Sequence, residues 1–202
     1  MNDMRPNTKV TQETASQTAG PYVHIGLAPR AAGFDIYEKE SGHDIAGPHA
    51  DGQRIRVEGI VWDGNGEPVK DVLLEVWQPN AHGIFADRGP VEPGFRGWGR
   101  IACNFDTGVY TIDTVKPGAV GDDAPHLTLW IVARGINVGL NTRMYFPEDT
   151  AAHATDAALS LIPDADARGT LLPEPGVAEE GHILYRFDIR LQGDGETVFF
   201  DI

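Results

Sequence analysis

The stretch YTIDTVKPGAVGDDAPHLTLWIVARGINVGLNTRMYF, residues 110–146, decides the fold. It reads as strand, tight turn, loop, long apolar strand, loop and strand. The long strand, HLTLWIVA, begins at His126. Side chains alternate faces along a strand, so His126, Thr128, Trp130 and Val132 share one face and Leu127, Leu129 and Ile131 the other. A His-x-His pair at its start would set two imidazoles side by side, a common way for a sheet to hold a metal. His126-Leu127-Thr128 offers one imidazole and one hydroxyl instead.

Outward from this strand the chain keeps the same grammar. RIRVEGIVW (54–62) alternates Ile55, Val57 and Val61 with Arg54, Arg56 and Glu58. Asp63-Gly64-Asn65-Gly66 is a hairpin turn, because Asn and Gly tolerate positive φ. DVLLEVWQ (71–78) is apolar on both faces, which predicts a central, buried strand. RIACNF (100–105), the turn Asp106-Thr107-Gly108 and VYTIDTV (109–115) follow. PEDTAAHATDAALSLI (147–162) is the one helical stretch, with Asp149 or Thr150 as cap and Pro163 as stop. Residues 163–181 read as loop. ILYRFDIR (183–190) alternates as a single strand, and Arg186, Asp188 and Arg190 on one face read as a salt-bridge ladder. Short strands separated by turns predict an all-β chain, an antiparallel β-sandwich with extended loops and one short helix. Residues 1–50 hold no period for long, yet carry Tyr22, Val23, Ile25, Leu27, Phe34, Ile36 and Tyr37. They read as a long N-terminal arm on a 51–202 core, the whole making one domain at 1–202.

Composition removes several classes of function. The formal charge of −14 argues against nucleic acid and leaves no basic patch for anionic membranes. No run reaches the ~18 apolar residues of a membrane helix, and MNDMRPNTKV has no signal-peptide core. Cys103 is the single cysteine, so no disulfide forms within the chain, and the cytoplasm is the expected compartment. Trp62, Trp77, Trp98 and Trp130 read as core or interface aromatics. His24, His43, His49, His82, His153 and His182 show no ligand spacing and read as structural.

Six stretches together carry a specific likeness: SQTAGPYVHIGL (16–27), VWDGNGEPVKDVLLEVWQPNAHG (61–83), TVKPGAV (114–120), APHLTLWIVARGIN (124–137), TRMYF (142–146) and YRFDIRLQGDGETVFFDI (185–202). The chain resembles the intradiol ring-cleaving dioxygenases. Within them it is most similar to the iron-free chain of the two-chain members that act on a carboxylated catechol. The resemblance implies a ferric ion held in catalytic chains by two tyrosines and a His-x-His pair, a hard cation met by hard phenolate donors. Carried over position by position, the first tyrosine becomes Phe85, after Trp77-Gln78 and Gly83. The second becomes Val120, after Lys116-Pro117-Gly118-Ala119. The first histidine is His126 and the second becomes Thr128. Where catalytic chains carry an arginine shortly before the His pair, Asp123 stands here. One donor of four does not hold iron against water.

The resemblance therefore implies that this chain binds no metal and holds no catalytic residue alone, and that Fe3+ belongs to a homologous partner chain present one to one in a larger assembly. It implies that Thr18, Gly20, Pro21, Tyr22 and Arg134 reach the partner's pocket, where a guanidinium suits a substrate carboxylate. Read from the residues alone, Thr18–Tyr22 is a turn in an arm, and Arg134 is as often an ion-pair partner as a ligand. Two other readings stay open. One is a structural or binding β-sandwich of transthyretin-like type with no catalytic pocket. The other is a homomeric dioxygenase with altered ligands, against which Phe85 and Val120 argue.

Overall fold

Alternating burial in Arg54–Trp62 shows how this chain builds a sheet: Ile55, Val57, Gly59 and Val61 are buried while the residues alternating with them are half-exposed. A computed structural model describes residues 14–20, 22–90, 92–176 and 181–201. Their strands are β1 (Arg54–Trp62), β2 (Leu73–Trp77), β3 (Trp98–Ala102), β4 (Val109–Val115), β5 (His126–Val132), β6 (Leu140–Tyr145), β7 (Glu174–Pro175), β8 (Ile183–Arg186) and β9 (Ile189–Arg190). Short helices are α1 (Val23–Leu27), α2 (Thr150–His153), α3 (Ala157–Ser160) and α4 (Ala165–Gly169).

The strands form two sheets. One is wholly antiparallel in the order β3-β2-β5-β6. The other has the order β4-β1-β8-β7, with β9 also on β1. Leu74, Val76, Leu127, Leu129 and Ile131 of the first sheet share one core with Ile55, Val57, Val61, Tyr110 and Ile112 of the second. This is the β-sandwich expected. β2 is central and buried, and β5 carries the anticipated alternation, Leu127, Leu129 and Ile131 inward and Thr128, Trp130 and Val132 half-exposed. A second cluster, Ala124, Tyr145, Leu159 and Leu171, packs the short helices over the β5–β6 edge. Cys103 is buried and donates to Lys70 O at 2.9 Å, and burial pushes its thiol up to about 11. Among the described residues no helix is long and apolar enough to cross a membrane.

Five expectations change. First, the Asp63–Gly66 turn forms, with Gly66 at φ 80 and Asp63 Oδ1 accepting from Asn65 N and Glu67 N. It does not pair β1 with β2. After a bridge at Trp62 and Pro68 the chain crosses to the other sheet. Second, β8 and β9 run parallel to β1, so that sheet is mixed. Third, the predicted single strand 183–190 breaks at Phe187 and Asp188. Phe187 N bonds Glu58 O, and the Asp188 carboxylate takes Ile60 N at 2.9 Å and Trp62 Nε1 at 3.1 Å, so Asp188 is no rung of an arginine ladder. Gly59 is required there, because a Cβ would collide with the Phe187 carbonyl oxygen. Fourth, the predicted helix 147–162 splits at Asp156, which adopts an extended backbone and caps α3 through Leu159 N, and α4 replaces loop after Pro163. Asp149 makes no side-chain cap. Fifth, the N-terminal segment is not wholly extended: α1 and the turns that follow fold Val23–Gly33 back on themselves.

Candidate functional site

The loop after β2 and the loop after β4 carry Phe85 and Val120, two of the four positions that the resemblance matches to metal ligands, and the two loops are pressed together. Gly118 N donates to Asn80 O at 2.9 Å. Gly83 sits at φ 75, where a Cβ would collide with Ala119 O. Asn80 Oδ1 accepts from His82 N and Ile84 N, which shapes the turn leading to Phe85. The Phe85 ring lies 5.7 Å beneath the Arg88 guanidinium. Val120 pairs its backbone with Asp123. Thr128 lies on β5 opposite Trp77 on β2 and Arg143 on β6.

His126 opens β5 opposite Tyr145 and is buried. Its Nδ1 donates to Ala124 O at 2.8 Å, and its ring lies 5.2 Å from that of Tyr145. Burial, more than any neighbouring charge, lowers its pKa below the usual imidazole value. Tyr145 Oη accepts from Arg143 Nη1 at 3.2 Å and donates to the fully buried Asp156 at 3.3 Å, and burial pushes the phenol up to about 12. Asp156 also accepts from Ala124 N and Leu159 N, each at 2.9 Å. These four positions do not fit a ferric ion: a phenyl ring and an isopropyl group have no lone pair, a neutral hydroxyl is a poor ligand, and one imidazole nitrogen remains. What surrounds His126 is a hydrogen-bonded strut between β5, β6 and α3.

Of the other predicted residues, Gly20 and Arg134 line a groove of about 1180 Å3 at the end of β5. Gly20, His24 and Phe34 of the N-terminal segment are among its lining residues, together with Asp71, Phe105 and Arg134. Thr18 pins that segment to the strand end. Its hydroxyl donates to Ala133 O at 3.1 Å and accepts from Gly135 N at 2.7 Å, gripping the backbone on both sides of Arg134. Arg134 is 65% exposed and its Nε is ion-paired with Asp71. Tyr22 caps α1 and is exposed, outside the groove lining. Pro21 lies outside the described residues.

Asp71 and His24 are lining residues that the sequence reading did not single out as site residues. Asp71 opens an apolar strand pattern and looked like its edge. His24 has no ligand spacing, yet it is 5% exposed, meets the Phe105 ring edge-on at 5.0 Å and leaves Nε2 without a partner among the described residues. Only the contact across long stretches of chain reveals either. Chemically, the groove offers aromatic lining, close-approach backbone at Gly20 and a guanidinium whose amino groups make no hydrogen bond among the described residues, which suits a small aromatic anion.

Comparison with known proteins follows the same lines. A family model described as "Dioxygenase" matches residues 35–193. The chain is 47% identical over 194 residues to the protocatechuate 3,4-dioxygenase alpha chain of Pseudomonas putida, covering 94% of this chain and 96% of that one. It is 37% identical over 161 residues to the protocatechuate 3,4-dioxygenase beta chain of Burkholderia cepacia, covering 72% and 67%. Its fold is similar to the dioxygenase domain of a dioxygenase carbohydrate-binding protein fusion from Streptomyces sp. SirexAA-E, with TM-score 0.59 and 24% identity over 81% of this chain and 95% of the other. Sandwich, loop packing and sequence agree: the chain belongs to the intradiol dioxygenase family, whose chemistry uses non-haem ferric iron.

Proposed function

We propose that this chain is the alpha, non-iron subunit of a protocatechuate 3,4-dioxygenase. The observation that carries the reading is the likeness to an alpha chain from end to end, 47% over 94% of the chain. With an iron-bearing beta chain, one to one in a higher oligomer, it takes part in intradiol cleavage of 3,4-dihydroxybenzoate. Both atoms of O2 enter between the hydroxyl-bearing carbons, and the product is 3-carboxy-cis,cis-muconate. Fe3+ belongs to the beta chain. Phe85, Val120 and Thr128, which cannot replace its ligands, support that assignment, and no step of the chemistry is assigned to this chain's own His126.

The contribution of this chain is binding and orientation. Arg134 pairs with the substrate carboxylate in a poorly solvated pocket, where a charge-assisted hydrogen bond is stronger than in water. Gly20, Pro21 and Tyr22 form part of the pocket mouth. The Thr18 hydroxyl is engaged by Ala133 O and Gly135 N, so Thr18 acts by fixing the backbone that carries Arg134. Residues 1–50 are the arm laid against the beta chain, and 51–202 the sandwich core of a single domain. Exposed Tyr22, Ile36 and Tyr37 on that arm support a covered surface. The assembly works in the cytoplasm, which suits a lone thiol that is buried.

Co-purification from the native source tests the reading. A second, iron-bearing chain is expected at one to one, with protocatechuate-cleaving activity only in fractions holding both. Full activity in fractions that contain this chain alone would overturn it.

A further inference from the structure

We infer that Asp71 is the positioning residue for Arg134, setting the guanidinium so that its two terminal amino groups are presented to the groove. The inference rests on the reading of Arg134 as the carboxylate partner in the shared pocket. Arg134 has a long side chain with several rotatable bonds and is 65% exposed, so nothing in its own packing fixes where the charge lies. Two contacts do. At the backbone, the Thr18 hydroxyl bonds Ala133 O and Gly135 N, immediately before and after Arg134. At the head, Asp71 Oδ2 accepts from Nε. Among the described residues the terminal amino groups of Arg134 make no hydrogen bond.

A guanidinium has two edges that can each meet a carboxylate as a fork. The Nε position is occupied by Asp71, which leaves the edge formed by the two amino groups for a second carboxylate, one brought by a ligand. Asp71 is itself a firm anchor. The next residue, Val72, is fully buried and its carbonyl accepts from Cys103 N, which ties this chain segment to the sandwich just ahead of β2. A partly exposed ion pair of this kind contributes little to folding, so its removal leaves the fold in place and its effect is read in binding.

The test uses the assembled, iron-loaded enzyme and compares protocatechuate with catechol, which lacks the carboxylate. Asp71→Ala is expected to lower kcat/KM for protocatechuate about tenfold, mainly by raising KM, with catechol changed little. Asp71→Asn keeps an oxygen for Nε and is expected to fall between Ala and the parent. In an Arg134→Ala background Asp71→Ala adds nothing, because Asp71 acts only through Arg134. An unchanged protocatechuate-to-catechol preference in Asp71→Ala and Asp71→Asn, while Arg134→Ala reduces it, overturns the positioning role. If Asp71→Ala loses iron or the beta chain, the Asn variant decides: a reduced preference supports the role and an unchanged one overturns it. If Arg134→Ala itself leaves the preference intact, the shared-pocket reading fails, and that failure is distinct from the failure of Asp71.

Discussion

Arg134 is the residue on which the proposed shared pocket rests, and its removal is the sharpest residue-level experiment. Losing one hydrogen bond to a charged group costs about 1.5–3 kcal/mol, roughly ten- to a hundredfold in kcat/KM. Arg134→Ala in the assembled enzyme is expected to lose that much for protocatechuate and less for catechol, with iron content and subunit ratio unchanged. Thr18→Ala acts in the same direction and more weakly, because its bonds are neutral and reach the ligand through the backbone. Steady-state kinetics on both substrates with metal analysis on the same preparations checks both. His126 gives a second residue-scale test. Its pKa is depressed, chiefly by burial, so below the ordinary value of about 6.5 the unfolded chain takes up a proton that the folded chain resists. Stability is therefore unaffected by this group above that pH and falls as pH drops below it, levelling off under the folded pKa. Urea midpoints measured from about pH 7 to about pH 5 should fall more steeply for the parent than for His126→Gln. Equal slopes would mean that His126 is not the buried strut described.

At the scale of elements, Asp156 is the hinge of the helical region. It ends the α2 segment, caps α3 and holds Ala124 N and Tyr145 Oη, all while fully buried. Asp156→Ala leaves those donors unsatisfied and is expected to destabilise the protein by about 2–3 kcal/mol, measured by denaturant unfolding of the assembled enzyme. Asp156→Asn, which keeps an acceptor, should lose less. This aspartate also shows where sequence reasoning stopped. A run of alanines after Asp149 reads as one helix, and only a tertiary demand on the Asp156 carboxylate breaks it. The strands that alternate cleanly, β1, β4 and β5, were legible, because burial on one face imposes a period of two. The break at Phe187–Asp188 was not, because it depends on Gly59 allowing a backbone from 128 residues away to approach. The parallel pairing of β8 with β1 was hidden for the same reason: local pattern gives a strand but not its neighbour. That Phe85, Val120 and Thr128 are poor metal ligands, by contrast, needs no fold to read, since it is a matter of side-chain identity.

For the whole molecule, the exposed surface matters as much as the core. Tyr22, Phe34, Ile36, Tyr37 and Trp77 are each 48–77% exposed, and large aromatic and aliphatic groups in such number on one chain favour association. Without its partner the chain is expected to aggregate or to show a broadened thermal transition. Adding the beta chain should sharpen and raise that transition, since binding only the folded form stabilises it. On the proposed reading, this chain shapes a pocket whose metal it does not hold. The direct measurement is metal analysis of the chain produced alone in iron-replete cells and of the beta chain recovered from the assembled enzyme. The account predicts a colourless, iron-free and inactive chain, with the enzyme's iron travelling with the beta chain. One tightly bound iron per copy of the isolated chain, with visible absorption, would contradict it.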